Sequence, residues 1–300
     1  MATPPIRLTL PATSANLGPA FDAAGLALSM HLTVEAHAAP TPSIAATGRN
    51  ADLVAQLDHN LILETYTATI LESKIRPQPL KLDIHNEIPL GAGCGSSAAA
   101  ILAGVALASH FGNLHLSDEQ IVAAASLREG HPDNVAACWY GGYTTSVQSG
   151  DTIQAATFPG NPAWEIILAL QPTSLATKEA RALLPDTYSR ADAVFNIQRS
   201  SLLTAAFAKD RLDLLRTATQ DALHQPYRQQ ACPLLAQLLP LAAEPEIASI
   251  TLSGAGPSVL IVLAETTTFL AAETRLRLLL APEVELLSLR IAPGATQVLL

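Results

Sequence analysis

The chain is short of lysine, of charge in general and of cysteine, and each shortage removes a class of function. Only four of its 300 residues are lysines (Lys74, Lys81, Lys178 and Lys209), and the formal net charge is −9. Such a balance gives no electrostatic footprint for nucleic acid or for an anionic membrane surface. A phosphorylated ligand would have to be held by local donors, with arginine and backbone amides taking the place of a lysine field. Cys94, Cys138 and Cys232 lie far apart and form no Cys-x-x-Cys pair, so neither a disulfide framework nor a zinc site is expected. The longest apolar run, Ala98 to Ala108, is too short to cross a bilayer. Met1-Ala-Thr-Pro-Pro5 has neither the basic nor the apolar region of a secretory signal, so a soluble, cytoplasmic protein is expected. No internal repeat or low-complexity tract is visible.

What is present is apolar. Hydrophobic residues make up 49% of the chain and charged residues 14%, the composition of a folded protein with a sizeable core, in one large domain or two. The organising stretch is Pro89-Leu-Gly-Ala-Gly-Cys-Gly-Ser-Ser-Ala-Ala-Ala100. Leu80 to Ile88 before it begins as apolar/polar alternation, the period of a half-buried strand. Ser97 to His110 after it is nearly all Ala, Ile, Leu and Val, the pattern of a helix buried on every side. Strand, glycine loop and helix together offer free N–H groups and a helix N-terminus to an anion. Gly91, Gly93 and Gly95 let the backbone close around a phosphate, and Ser96 and Ser97 add hydroxyls able to cap the helix or reach a metal. Neither a P-loop, which needs a lysine, nor a Gly-x-Gly-x-x-Gly dinucleotide fingerprint fits the spacing. Taken alone, the loop also fits a tight strand-to-helix turn with no ligand.

Around it, Ile6–Leu10 and Leu26–Val34 read as strands, with loops over residues 11–22 and 40–48. Asn60 is placed to cap a helix from Leu61 to Lys74, and Ser117-Asp-Glu-Gln120 is a capping box for a helix ending near Gly130. Glu129-Gly-His-Pro-Asp-Asn134 reads as a turn, a strand begins after Gly141-Gly142, and residues 148–162 read as a linker. That places a division between residues 1–155 and 156–300. The second half reads as strand, helices, two strands joined by Ser253-Gly-Ala-Gly-Pro257, a helix and a last strand, the split βαβ or ferredoxin-like order.

Residues 89–99 closely resemble the Pro-x-Gly-x-Gly-Leu-Gly-Ser-Ser-Ala-Ala loop of the GHMP small-molecule kinases. Leu252-Ser-Gly-Ala-Gly-Pro-Ser258 resembles the C-terminal glycine motif of the same superfamily. Within it, four further stretches look like homoserine kinases: Pro11-Ala-Thr-Ser-Ala-Asn-Leu-Gly-Pro-Ala-Phe-Asp22, His131-Pro-Asp-Asn-Val135, Ala176-Thr-Lys-Glu-Ala-Arg181 and Asp221-Ala-Leu-His-Gln-Pro-Tyr-Arg228. Two positions depart from the pattern, Cys94 for a leucine and Ala20 for a glycine, and neither removes a donor.

The resemblance implies an α+β, two-domain GHMP kinase fold: an N-terminal ATP-binding domain with the phosphate loop and a ferredoxin-like C-terminal domain. It implies transfer of the ATP γ-phosphoryl group to the hydroxyl of L-homoserine, giving O-phospho-L-homoserine for threonine synthesis. Other small alcohols such as mevalonate, and a GHMP-fold binding protein without turnover, are the alternatives. Pro89, Leu90, Gly91, Ala92, Gly93, Cys94, Gly95, Ser96, Ser97, Ala98 and Ala99 would cradle the nucleotide. Ser97 (or Ser96) and Glu129 would hold Mg²⁺, which favours hard oxygen ligands. Asn134 would position the substrate hydroxyl, with Asp133 the second candidate there. Asn16, Asp22, Asn134, Arg181 and Arg228 would bind the substrate, the arginines at its carboxylate and Asp22 at its ammonium. His131 is expected to stabilise the turn, and Cys94 to be buried and inert. The expected partner is the small substrate, with neither nucleic acid nor membrane and with a homodimer as a compatible assembly.

Overall fold

The computed structural model describes residues 3–173 and 177–300. Strand β1 (Ile6–Ala15) begins with Ile6, Leu8 and Leu10 turned inward and is buried on both faces from Leu10 to Ala15. It therefore runs five residues past the expected Leu10, to Ala15. Pro11 has no N–H for a ladder, and the pairing with β2 (Ala24–Ala38) shifts register between Pro11 and Ala12, as a proline inside a sheet requires. A third strand, β3 (Ser43–Gly48), lies where a loop was expected; it is a mostly exposed edge with no buried face to read, paired in parallel with β4 (Leu80–Asn86). Between them come α1 (Ala51–Val54) and α2 (Leu61–Glu72). Asn60 caps α2 as expected, its Oδ1 accepting from Leu63 N at 3.2 Å.

Helix α3 (Ser96–Phe111) follows the glycine loop and is buried along most of its length. Its N-cap is Gly95, in the left-handed region at φ 69°, with no side-chain cap, so neither serine hydroxyl is spent on capping. Helix α4 (Asp118–Glu129) has both hydrogen bonds of the Ser117–Gln120 capping box and ends at left-handed Gly130. The segment read as a turn instead starts α5 (Asp133–Tyr140) after Pro132. Proline before the first turn and aspartate within it are turn formers and helix starters alike, which is why local chemistry alone did not separate the two. The expected linker likewise holds a strand: β5 (Tyr143–Ser149) and β6 (Thr152–Phe158) form a hairpin on the first sheet.

The second half contains β7 (Ile166–Leu170), α6 (Thr177–Ala182), α7 (Arg190–Ala208), α8 (Leu215–Ala218), α9 (Gln225–Arg228) and α10 (Pro233–Leu238). It closes with β8 (Ile247–Leu252), β9 (Val259–Leu263), α11 (Phe269–Arg277), β10 (Glu285–Leu289) and β11 (Thr296–Leu299). The order β10-β7-β9-β8, antiparallel throughout, is the ferredoxin-like sheet. Its strands β7, β8 and β9 are buried on both faces: Ile166, Leu168 and Val262 join the main core with Leu203 and Phe207 of α7. Ile167, Ala169 and Ile261 pack instead with Leu234 and Leu238 of α10. The last strand, β11, was not expected; it is short and exposed, and returns to pair with β1 at the edge of the first sheet. Because β6 ends at Phe158, β11 rejoins β1 and Ile166, Leu203 and Phe207 share the main core, the division 1–155 and 156–300 stands as a proposal. No described helix is long and apolar enough to cross a membrane.

The loop before α3 is fixed by its neighbours. A Cβ on Gly95 would lie 1.9 Å from Thr13 Oγ1, and Thr13 is fully buried on β1. A Cβ on Gly93 would lie 2.2 Å from Ser253 O. Gly95→Ala should therefore combine left-handed strain with a clash against the buried Thr13 side chain and destabilise the fold by roughly 1–3 kcal/mol. Urea unfolding checks this: the midpoint should fall while the slope stays that of the parent protein.

Candidate active site

Three loops meet at the carboxyl side of the first sheet. The segment 16–22 leaves β1, the glycine loop leaves β4, and Ser253–Pro257 joins β8 to β9. Thr13 N donates to Cys94 O at 3.0 Å, Ser253 Oγ to Gly93 O at 2.8 Å, and Gly254 N to Ala15 O at 3.2 Å. Between them is a cleft of about 260 Å³ lined by parts of all three loops together with Glu129, His131, Asp133, Asn134, Arg181 and Arg228.

One end of the cleft is the start of α3. The first N–H groups of a helix have no intrahelical partner and carry partial positive charge. Gly91, Gly93, Cys94, Gly95, Ser96 and Ser97 border the cleft, Cys94 while almost wholly buried, whereas Ala92 belongs to the core alone. Burial pushes the Cys94 thiol up to about 12, which makes it inert, as expected. Ala98 and Ala99 are wholly buried, and Ala99 N already donates to Gly95 O, so its role is packing. Pro89 does not border this cleft. Leu90 borders a second cavity of about 270 Å³ on the far side of the loop, with Leu53, Val54, Leu61, Ile62 and Ala100. Nothing in the spacing of the sequence pointed to that cavity, because its walls come from several segments far apart in the chain.

At the same end Ser97 Oγ donates to Glu129 Oε2 at 2.7 Å, joining α3 to the last residue of α4. Burial raises the Glu129 pKa, and the Ser97 bond only partly opposes it. Among the described residues no lysine or arginine pairs with this carboxylate. Two hard oxygens beside anion-attracting amides suit a hard divalent cation, so the residues expected to hold Mg²⁺ fit it.

The floor is the first turn of α5. Asp133 Oδ1 lies 2.6 Å from His131 Nδ1 and accepts from Asn134 N at 2.6 Å. The His131 pKa is raised: burial opposes protonation, but Asp133, with Glu129 and Asp22 behind it, outweighs burial. His131 thus braces the turn as expected. Thr13 Oγ1 donates to Asn134 Oδ1 at 2.7 Å and Asn134 Nδ2 lies 3.5 Å from Asp133 Oδ1, which orients the amide at the border of the cleft.

The other end carries the expected substrate residues. Arg181 grips Asp22 through two parallel bonds of 2.7 and 2.9 Å. Arg228 is 1% exposed and donates only to the carbonyls of Ala180 and Gly254 and toward His224; among the described residues it has no carboxylate partner. Burial, then the charge of Arg181, lowers its pKa. Both guanidinium groups sit over the ring of Phe21, at 5.2 and 5.3 Å from its centroid. Asn16 is at left-handed φ 70°, its Nδ2 donating to Gly254 O and its Oδ1 accepting from Asp22 N. All the substrate candidates therefore come together. Phe21 was missed as a site residue, although it sits inside the motif next to Asp22. Asp221 and His224 lie behind the cleft, and Ala176, the first residue of the Arg181 motif, lies outside the described residues.

Comparison with known proteins agrees with this geometry. Residues 60–142 match the model of the GHMP kinases N terminal domain. A homoserine kinase of Solibacter usitatus is 44% identical over 85% of this chain and 84% of its own. A homoserine kinase of Thermus thermophilus is 39% identical over 84% of this chain and 85% of its own. A solved structure from Listeria monocytogenes, assigned to homoserine kinase, superposes with a TM-score of 0.77 at 28% identity, covering 98% of this chain and 99% of that one. With cleft, motifs and relatives in agreement, the chain belongs to the homoserine kinase family of the GHMP kinases.

Proposed function

We propose that the cleft transfers the γ-phosphoryl group of ATP to the side-chain hydroxyl of L-homoserine, releasing ADP and O-phospho-L-homoserine. The observation that carries this reading is the charge pattern at the substrate end. A buried arginine without a carboxylate partner stands beside an Asp22–Arg181 pair, the complement of a zwitterion. A substrate carboxylate satisfies Arg228 and Arg181, and its ammonium takes Asp22. In this structure Asp22 and Arg181 satisfy each other, so the substrate exchanges one ion pair for two.

The amides at the start of α3, with the turns at Gly91 and Gly93, hold the triphosphate. The apolar cavity beside Leu53, Ile62 and Leu90 takes the purine base, which needs a dry slot open to the same loop. Ser97 and Glu129 hold Mg²⁺, which when bound neutralises charge on the phosphate oxygens. Asn134 Nδ2, fixed by Thr13, donates to the substrate oxygen and leaves a lone pair aimed along the line of transfer. A largely dissociative transition state asks little deprotonation of the alcohol, so Asp133, already engaged with His131 and Asn134 N, holds the turn. The homodimer and the cytoplasmic setting remain parts of the same proposal, to be tested by sedimentation and by fractionation.

The first test is activity. Purified protein should release ADP only when Mg·ATP and L-homoserine are both present; equal turnover with mevalonate, or none with homoserine, refutes the assignment.

The second concerns the metal ligands. Glu129→Gln removes the anionic oxygen but keeps an acceptor for Ser97, so the fold should persist while kcat falls on the order of 10²-fold or more. A near-normal kcat at ordinary Mg²⁺ concentrations excludes the ligand role.

The third concerns how the two ends of the substrate are told apart. Charge-assisted hydrogen bonds contribute about 1.5–3 kcal/mol, or roughly 10- to 150-fold in kcat/KM. Asp22→Asn should lower kcat/KM for homoserine by that factor. It should leave 4-hydroxybutyrate, which has no amine, unchanged or improved, because Arg181 is then freed from its ion pair. Arg228→Lys should weaken both substrates about equally. An equal loss on both substrates in Asp22→Asn shows that Asp22 does not read the amine.

A further inference from the structure

The motif that supplies Arg228 also supplies a histidine that the reaction does not use. His224 lies one helical turn before Arg228 and is fully buried. Its ring makes two hydrogen bonds with opposite demands. Nε2 is 2.7 Å from Gly18 O, and a carbonyl can only accept, so Nε2 carries the proton. Nδ1 is 3.3 Å from Arg228 Nη1, and a guanidinium can only donate, so Nδ1 must present its lone pair. Only the neutral imidazole protonated on Nε2 meets both.

Among the charged neighbours Asp221 and Asp22 favour an imidazolium and Arg228 opposes it, and burial, the largest cause, carries the His224 pKa down. Asp221 Oδ2 is 3.5 Å from Nε2, but that carboxylate is already occupied by the amides of Leu223, His224 and Gln225 and by Asn196 Nδ2. The ring also packs on Phe21, 5.4 Å between centroids, and Phe21 carries both guanidinium groups.

We propose that His224, as the neutral Nε2–H tautomer, is a positioning residue that ties the Arg228 guanidinium to the loop carrying Asn16 and Asp22. It sets the geometry in which that guanidinium meets the substrate carboxylate. Gly18 lies between Asn16 and Asp22 in the same loop, so one ring registers the carboxylate reader against the ammonium reader. This inference rests on the reading of Arg228 as the carboxylate contact.

Two substitutions separate its halves. His224→Phe keeps the ring on Phe21 and deletes both hydrogen bonds. His224→Asn places an amide oxygen where Nδ1 was and keeps an acceptor for Arg228 while losing Gly18. Steady-state kinetics would be measured with homoserine, with ATP and with the carboxylate-free amino alcohol of the same chain length. His224→Phe should raise the homoserine KM on the order of ten-fold while the ATP KM and turnover of the amino alcohol stay within about two-fold. His224→Asn should recover most of that loss. An unchanged homoserine KM in His224→Phe, or homoserine and ATP KM values rising together, overturns the proposal. Should His224→Phe fail to fold, nitrogen NMR of the imidazole in the parent protein decides: a proton on Nε2 and none on Nδ1 supports it, and a protonated Nδ1 overturns it. A parent protein inactive on homoserine refutes the function itself, whereas an active parent with a silent His224→Phe refutes only the role of His224.

Discussion

The contact on which the rest of the molecule depends is the close approach of three backbone loops around Gly93 and Gly95. Gly95 starts α3 in a left-handed turn with no room for a Cβ against Thr13, and Gly93 has none against Ser253. These glycines were expected to clear space for a phosphate. The structure shows that they also clear space for protein, because the N-terminal strand and the C-terminal glycine motif both dock on the loop. The same approach puts Thr13 within hydrogen-bond reach of Asn134 and Gly254 within reach of Arg228. One packing constraint therefore sets the orientation of the amides at the start of α3, the Asn134 amide and the buried arginine together.

Burying an arginine without a carboxylate is costly unless something else satisfies it. Here the compensation is made of carbonyls, an imidazole lone pair and the face of Phe21, all neutral. A neutral frame holds the guanidinium in place yet leaves its charge uncancelled. That is the difference between Arg228 and Arg181, whose charge is matched by Asp22 and whose side chain is partly exposed. The first is a standing electrostatic demand for an anion; the second can change partners.

Much of this was legible in the residues because the chemistry is local. Asn60, the Ser117 capping box and the strand–loop–helix around residue 91 follow from hydrogen-bonding patterns a few residues long, and all three appear in the structure. The ferredoxin-like order was legible for a related reason: its strands are short apolar runs separated by turn residues. What was not legible depends on pairing across the sheet. Ser43–Gly48 and Thr152–Phe158 are exposed edge strands with no buried face, and Thr296–Leu299 is a strand only because β1 has a free edge. At the site, the motifs named the charged residues but not Phe21 or Thr13, whose roles appear only when distant segments meet. The cavity beside Leu53 and Leu90 is the same case.

The distribution of charge in the cleft also says in what form a polyphosphate can enter. No lysine borders it among the described residues, and both arginines belong to the end with Phe21 and Gly254. The end at α3 has Glu129 at the end of α4 and Asp133 at the start of α5, set in a chain whose net charge is −9. Backbone amides and a helix dipole supply about half a charge, which does not balance several phosphate oxygens facing two carboxylates. On the proposed function a free nucleotide would be repelled there, whereas one that brings its own divalent cation would turn Glu129 from an obstacle into a ligand. Desolvation of Glu129 sharpens the same preference, since a half-buried carboxylate without a cationic partner gains more from a cation than one in water. On that proposal the acidic end at α3 and the cationic end at Phe21 are two halves of one electrostatic design, each complete only when its ligand supplies the missing sign.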